Sequence, residues 1–316
     1  MSILVTGSIA YDTIMVFHDR FRNHLLPDQL HILNVCFLTP EMRREYGGTA
    51  GNIAYNLRLL GDDPLVMATV GEDIEPYMAR MRKLGISTEH LKRIAGQFTA
   101  QGFITTDLDN NQITNFHPGA MNYSHENHVS RALAARLAII GPDGKQGMQQ
   151  HAREYAALGL PFLFDPGQGL PMFSGEELGE FLQLAQYVAV NDYEGKLLEE
   201  KTGRKLEDIA RGAKALVYTQ GARGSIIFAG GQRHDIPCVE AQSVVDPTGC
   251  GDAYRAGLLY GISHGWDWPS TGRLGSVMGA IKIAHRGGQN HAAGRDEIEA
   301  RFKRAFGYSP WKGMGL

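Results

Sequence analysis

The sequence predicts an α/β fold with a mostly parallel sheet covered on both faces by helices. Two observations carry that expectation. Beyond Tyr123, short apolar runs at 137–141, 161–165, 186–190 and 214–218 alternate with segments long enough for crossover helices. That rhythm is how a parallel sheet is written in sequence. A chain of 316 residues, 43% hydrophobic and 21% charged, is also long enough to bury a large core.

The first element is the apolar run at 3–5, a buried strand ending in Gly7-Ser8. Asp12 follows at its C-terminal end, where open α/β sheets place ligand-binding groups. Residues 13–46, with Pro27, Pro40 and three histidines, read as extended structure outside the main sheet. Gly47-Gly48-Thr49-Ala50-Gly51-Asn52 then opens a helix carrying Ile53, Leu57 and Leu60. The two glycines fit a tight turn, and Asn52 both donates and accepts, which suits a polyol.

A buried strand follows at 64–70 and a helix at 74–84, ended by Gly85. Segments 98–106 and 111–116 read as a hairpin around Asp109-Asn110-Asn111. Runs at 224–228 and 232–236, split by Gly230-Gly231, form another, and helices fill 250–264, 271–285 and 295–306. There is neither an internal repeat nor a low-complexity linker, and the length allows one large α/β domain or two smaller ones.

Charge and cysteine usage narrow the function classes. The net charge of −3 comes from 31 basic and 34 acidic residues without long blocks of either sign. That excludes nucleic acid as the main partner. Cys36, Cys238 and Cys250 are far apart and form no CxxC pair. The N-terminus lacks a basic stretch, and no apolar run is long enough to span a membrane. A cytoplasmic protein with no membrane partner is expected.

The stretch richest in chemistry is Asp246-Pro247-Thr248-Gly249-Cys250-Gly251-Asp252. Pro247 fixes φ, Thr248 is a good N-cap, and Gly249 and Gly251 admit a close neighbour. A helix opening there presents unpaired N–H groups to an anion, with the Asp252 carboxylate beside it. An anion cradle next to a base is what phosphoryl transfer to an alcohol requires. The plainer reading is that Asp252 only satisfies a helix N-terminus. A dinucleotide fingerprint fits less well, since Tyr254 stands where its third glycine belongs.

Other motifs are weaker singly. His125-Glu126-Asn127-His128 has the wrong histidine spacing for a zinc helix, and Gly144-Lys145 and Gly195-Lys196 lack the hydroxyl of a P-loop. Asn191-Asp192-Tyr193-Glu194 sits at a strand end. Asn191 alone would cap a helix, while Asn191 with Glu194 could hold the water shell of Mg²⁺. Thr219-Gln220-Gly221-Ala222-Arg223-Gly224 also follows a strand, either as a glycine-rich turn or where a nucleotide approaches. Phe37, Phe103, Phe116 and Met121 lie in the two irregular β regions, where they pack or cover an aromatic substrate.

Taken in order, Gly7-Ser8-x-x-x-Asp12, Gly47-Gly48-x-x-x-Asn52, Asn191-x-x-Glu194, Thr219-x-Gly221-x-x-Gly224 and Asp246-x-Thr248-Gly249-x-Gly251-Asp252 resemble the ribokinase-like, or phosphofructokinase B, family. The resemblance spans residue 3 to about residue 300. It implies a single kinase domain over 1–316, a three-layer α/β sandwich with a small β lid from 13–46 and 96–118. Such kinases use ATP and Mg²⁺ to phosphorylate a hydroxymethyl of a sugar or nucleoside.

The resemblance also implies roles. Asp252 would take the proton of the acceptor hydroxyl, with the N–H groups of Gly249, Cys250 and Gly251 as the anion hole. Asp12, Gly47, Gly48 and Asn52 would hold sugar hydroxyls. Asn191 and Glu194 would organise Mg²⁺ and the phosphates, and Thr219, Gly221 and Gly224 would line the nucleotide site. Ala284 and Gly287, with Gly288-Gln289 beyond, would flank the adenine. Asp246 and Thr248 match positions of a monovalent-cation (K⁺) site in many members. Position 250 is usually alanine there and is cysteine here; a backbone donor survives that change.

Thr114-Asn115-Phe116-His117-Pro118-Gly119-Ala120-Met121, with Phe103 nearby, is similar to adenosine-kinase-like members. A nucleobase needs a flat apolar slot that a free sugar does not. The expected acceptor is therefore the 5′-hydroxymethyl of a purine nucleoside (adenosine, or inosine and guanosine), with ribose or a related sugar as the alternative. A non-catalytic ligand sensor is the remaining reading, against which the intact Asp252, Asn191 and Glu194 argue. A homodimer is compatible with the sequence, which does not fix the assembly.

Overall fold

The computed structural model describes residues 2–25, 32, 34–109, 111–130 and 134–311. Its centre is β1 (Ser2–Thr6), which pairs in parallel with β4 (Leu65–Val70) on one side and β8 (Ala135–Ile140) on the other. Side chains alternate along a strand. Ile3 and Val5 accordingly enter one core and Leu4 the other.

The sheet continues through β5 (Leu91–Arg93) at one edge. At the other run β9 (Phe162–Phe164), β10 (Tyr187–Asn191), β11 (Ala215–Thr219) and the antiparallel hairpin β12 (Ser225–Ala229) and β13 (Gln232–Ile236). Nine strands thus order as β13-β12-β11-β10-β9-β8-β1-β4-β5, all parallel from β11 to β5.

One face is covered by α1 (Thr49–Leu59), α2 (Glu75–Lys83), α7 (Cys250–Ser263), α8 (Trp268–Ile283) and α9 (Arg295–Phe306). The other is covered by α3 (Lys145–Leu158), α4 (Gly175–Leu184), α5 (Asp192–Thr202) and α6 (Leu206–Gly212). This is a three-layer sandwich. Among the described residues no helix is long and apolar enough to cross a membrane.

A second sheet of four strands, ordered β3-β2-β6-β7, comprises β2 (Ala10–Val16), β3 (Glu41–Gly47), β6 (Ala100–Thr106) and β7 (Gln112–His117). Its register aligns Glu45, Asp12, Gly102 and Phe116 in one row. Directly paired residues share a face, so this row presents three side chains and one gap. Asn110 of the expected turn, together with Pro27 and His31 of the 13–46 region, lies outside the described residues.

Local differences from the sequence reading have identifiable causes. Helix α8 begins at Trp268 rather than 271, because Asp267 caps it through Ser270 N at 2.7 Å and Pro269 fits its first turn. Thr248 does not cap α7; Gly249 takes that position at φ +76°, where L side chains are disfavoured. Helices α7 and α8 then pack backbone to backbone, since a Cβ on Gly257 would lie 2.7 Å from Gly275 Cα.

Candidate active site

Strand order reverses at β1: β4 and β5 are added on one side of it, and β8 to β13 on the other. Ligands of open α/β sheets bind beyond such a point, at the strand C-termini. Gly7 and Ser8 follow that end of β1 and lead into the second sheet, whose Asp12 is near enough to the start of α7 to act on Asp252.

The turn before α7 is tightly folded. Asp246 Oδ1 accepts from Thr248 N at 2.9 Å, and Cys250 N donates to Pro247 O at 3.1 Å. The Cys250 N–H is therefore committed inside the turn. Gly251 is exposed with open space beside it, so a ligand meets no side chain there. Burial pushes the Cys250 thiol up to about 11, which keeps it protonated and unreactive near neutrality.

Asp252, in the first turn of α7, is held from across the cleft. Asn52 Nδ2 donates to its Oδ2 at 2.8 Å. Gln289 Nε2 donates to Asn52 Oδ1 at 3.1 Å and reaches Tyr77 Oη at 2.6 Å, and Tyr77 Oη donates to Gly47 O at 2.8 Å. Asn52, Gln289 and Tyr77 are all buried. The chain from Gly47 to Asp252 thus fixes each amide orientation by its neighbour. Burial pushes the Asp252 carboxyl up to about 7; the Asn52 bond and Arg255 oppose this, while Asp165 and Asp12 add to it.

Asp12 sits in a notch of glycines on the second sheet. A Cβ on Gly47 would come 2.5 Å from its Oδ2, and one on Gly102 would come 2.9 Å from its Oδ1. Burial first, then the charges of Glu45 and Asp246, push its carboxyl up to about 6. Gly48 turns into α1 at φ +82°. Phe116 stands on the Asp12 face and is 53% exposed. Phe103 does not join this set: it pairs with Thr13 and Asn115, so the period of two turns its ring to the opposite face.

One turn further along α7, Arg255 centres a charged cluster close enough to act on Asp252. Asn191 and Glu194 form a capping box at α5: Asn191 Oδ1 accepts from Glu194 N at 2.8 Å, and Glu194 Oε2 accepts from Asn191 N at 2.8 Å. Asn191 Nδ2 also donates to Glu194 Oε1 at 2.7 Å. Burial first, and then Asp165, raise the Glu194 carboxyl, against the pull of Arg255. Arg255 donates to Asp165 Oδ1 at 3.0 Å, while its buried Nε and Nη1 have no partner among the described residues.

Thr219 ends β11 with Oγ1 donating to Val190 O at 3.4 Å. Gly221 has open space around it, whereas Gly224 is required by packing, its Cβ position lying 3.0 Å from Cys238 N. Ala284 caps α8. Gly287 N donates to Asp246 Oδ2 at 2.8 Å. Gln289 turns inward to Asn52 rather than toward an adenine. Among the described residues no cluster of three His, Cys, Asp or Glu could grip a metal directly. Each Glu194 oxygen keeps a spare lone pair, which fits Mg²⁺ held through its waters.

A model of the pfkB family of carbohydrate kinases matches residues 10–293. The chain belongs to that family. A nucleoside kinase of Burkholderia thailandensis, solved in complex with inosine, is 55% identical, covering 98% of this chain and 99% of its own, with a TM-score of 0.89. A second structure of that protein holds ADP and inosine. The nucleoside kinase of Methanocaldococcus jannaschii is 29% identical over 273 residues, 86% of this chain and 90% of its own. Its crystal structure covers 96% of this chain with a TM-score of 0.87.

This pfkB-family protein is accordingly an ATP-dependent kinase with the ribokinase-like fold. Tyr77, Glu45, Asp165, Arg255 and Lys282 escape a reading of its motifs, as does the inward contact of Gln289 with Asn52. Arg255 and Lys282 do leave a trace, each a lone cation within an otherwise apolar helical stretch.

Proposed function

We propose that the enzyme transfers the γ-phosphoryl group of ATP to the 5′-hydroxymethyl of a purine nucleoside such as adenosine, inosine or guanosine. The observation that carries this reading is the row Asp12–Gly102–Phe116. An acceptor-only carboxylate and an exposed ring share a face with a glycine gap between them. Ribose hydroxyls suit the first and a base suits the second. The similarity to a kinase solved with inosine supports the same acceptor class.

In this mechanism Asn52 holds Asp252 Oδ2, leaving Oδ1 to take the hydroxyl proton. The N-terminus of α7 offers N–H groups to charge developing on the transferring phosphoryl group. Asn191 and Glu194 would hold Mg²⁺ through water, supplying charge neutralisation at the phosphates. Thr219, Gly221 and Ala284 line the nucleotide side. The four-stranded sheet serves as a lid that excludes water, which otherwise competes as acceptor.

Steady-state rates with ATP for adenosine, inosine, guanosine, ribose and fructose 6-phosphate test the assignment. Faster turnover of either sugar than of every nucleoside at matched concentration overturns it.

A further inference from the structure

Lys282 is fully buried in the last turn of α8. An unpaired ammonium there would be prohibitively costly, so its partners define its purpose. Nζ donates to Asp246 O at 2.8 Å and to His285 O at 2.9 Å. Both oxygens flank the turn that leads into α7. Ile283 O, next along the helix, accepts from Val245 N at 2.9 Å and Asp246 N at 3.1 Å. The pre-α7 turn is thereby stapled to the C-terminus of α8, whose negative dipole end favours a cation.

The resemblance implied K⁺ beside Asp246 and Thr248, and the residues present do not fit it. Asp246 Oδ1 is turned to Thr248 N and Oδ2 to Gly287 N, so the carboxylate braces its own turn. The place where the Asp246 and His285 carbonyls converge is filled by Nζ itself. What separates this place from an ion site is its resident charge: the two carbonyls that would ligate a free cation already hold an ammonium, which repels a second cation.

We propose that the Lys282 ammonium is a built-in replacement for the monovalent cation, so that the enzyme positions its anion-binding turn without K⁺. Lys282 touches no reacting atom; it is a positioning residue, acting through Asp246 O on the backbone that carries Gly249, Gly251 and Asp252. The proposal rests on the kinase reading for its rate measurement only. A companion measurement on ligand-free protein uses no acceptor, so failure of the two readings is distinguishable.

Wild-type enzyme is assayed with ATP and Mg²⁺ in buffer whose only monovalent cation is N-methylglucamine, then with K⁺, Na⁺ or NH₄⁺ added. Rates should agree within about twofold, the scale of an ionic-strength effect, and Tm should move no more with K⁺ than with choline. In Lys282→Met, kcat should fall roughly tenfold or more, as for a lost charge-assisted hydrogen bond, with the acceptor KM little changed. K⁺ or NH₄⁺ should then restore part of that rate and raise the variant's Tm.

Severalfold activation of the wild type by K⁺, or a K⁺-selective rise in its Tm, overturns the proposal. So does a folded Lys282→Met variant with undiminished turnover, or one that is slowed yet ignores K⁺ and NH₄⁺. Should Lys282→Met fail to fold, the two wild-type measurements decide the matter alone.

Discussion

Asn52 Nδ2 meets Asp252 Oδ2 at 2.8 Å, joining the helix after the first glycine pair to the helix after the last glycine turn. The bond does two jobs. It fixes which carboxylate oxygen is engaged, leaving Oδ1 for the proposed base role, and it limits how far burial can raise the carboxyl. The donor is itself fixed, because Gln289 occupies the Asn52 carbonyl and Tyr77 occupies Gln289.

The first prediction follows for the base. Asp252→Asn keeps an acceptor for Asn52 but cannot take a proton. We expect kcat to fall by at least ~10²-fold, the low end for loss of a general base, with ATP affinity little altered. Turnover like that of the wild type in a folded variant would remove Asp252 from the mechanism.

A second prediction concerns pH. With its carboxyl at about 7, Asp252 is the proton acceptor only once ionised, so kcat/KM should rise with pH to a plateau just above 7. Stability runs the other way. A carboxyl raised on folding binds more protons in the native state, so its contribution falls as pH climbs from the unfolded value near 4 through about 7. Asp12, at about 6, acts in the same direction. Relative to the wild type, Asp252→Asn should therefore gain Tm at pH 8 and gain almost none near pH 4. A Tm difference that shrinks with rising pH would contradict the raised carboxyl.

The sites that sequence reasoning reached are those where one short segment carries the whole signal. Gly249 at φ +76° and the placement of Asp252 in the first helical turn are local matters, settled within a few residues. Phe103 and Phe116 were inseparable for the opposite reason. Which ring shares the Asp12 face depends on register across three strands, and register is tertiary information. Gln289 was similarly hidden, since nothing in Gly287-Gly288-Gln289 shows that the amide turns back toward Asn52. The sequence allows two readings of Asn191 and Glu194, as a cap or as metal support. The capping box demonstrates the first without removing the second, because each oxygen can accept twice.

That double duty gives a third prediction. In Glu194→Gln the amide oxygen still accepts from Asn191 N, so the cap, typically about 1 kcal/mol, is largely kept. What disappears is the charge, together with the bond that Asn191 Nδ2 donates to Oε1. The Mg²⁺ concentration for half-maximal rate should rise, roughly tenfold if one charge-assisted contact to a bound water is lost, while nucleoside KM stays within error. Unchanged Mg²⁺ dependence, measured by titration at saturating ATP and acceptor, would reduce these residues to a helix cap.

The last prediction turns the register of the second sheet into a test of the acceptor. Phe116 shares the Asp12 face and Phe103 does not, although both rings are exposed on neighbouring strands. Stacking on a base is worth about 1–3 kcal/mol. Phe116→Ala should then raise the nucleoside KM by roughly 5- to 150-fold if the whole loss falls on ground-state binding, with kcat nearly unchanged. Phe103→Ala, altering the far face, should change KM by less than about twofold, a few tenths of a kcal/mol. Asp12 and Asn52 stay intact in both variants, so ribose recognition is a constant of the comparison. Steady-state kinetics on the two variants with adenosine and inosine separate the cases. Equal losses in both would mean that the rings act through the rigidity of the sheet. A loss in Phe103→Ala alone would place the base on the other face and defeat the alignment of Phe116 with Asp12 as the acceptor slot.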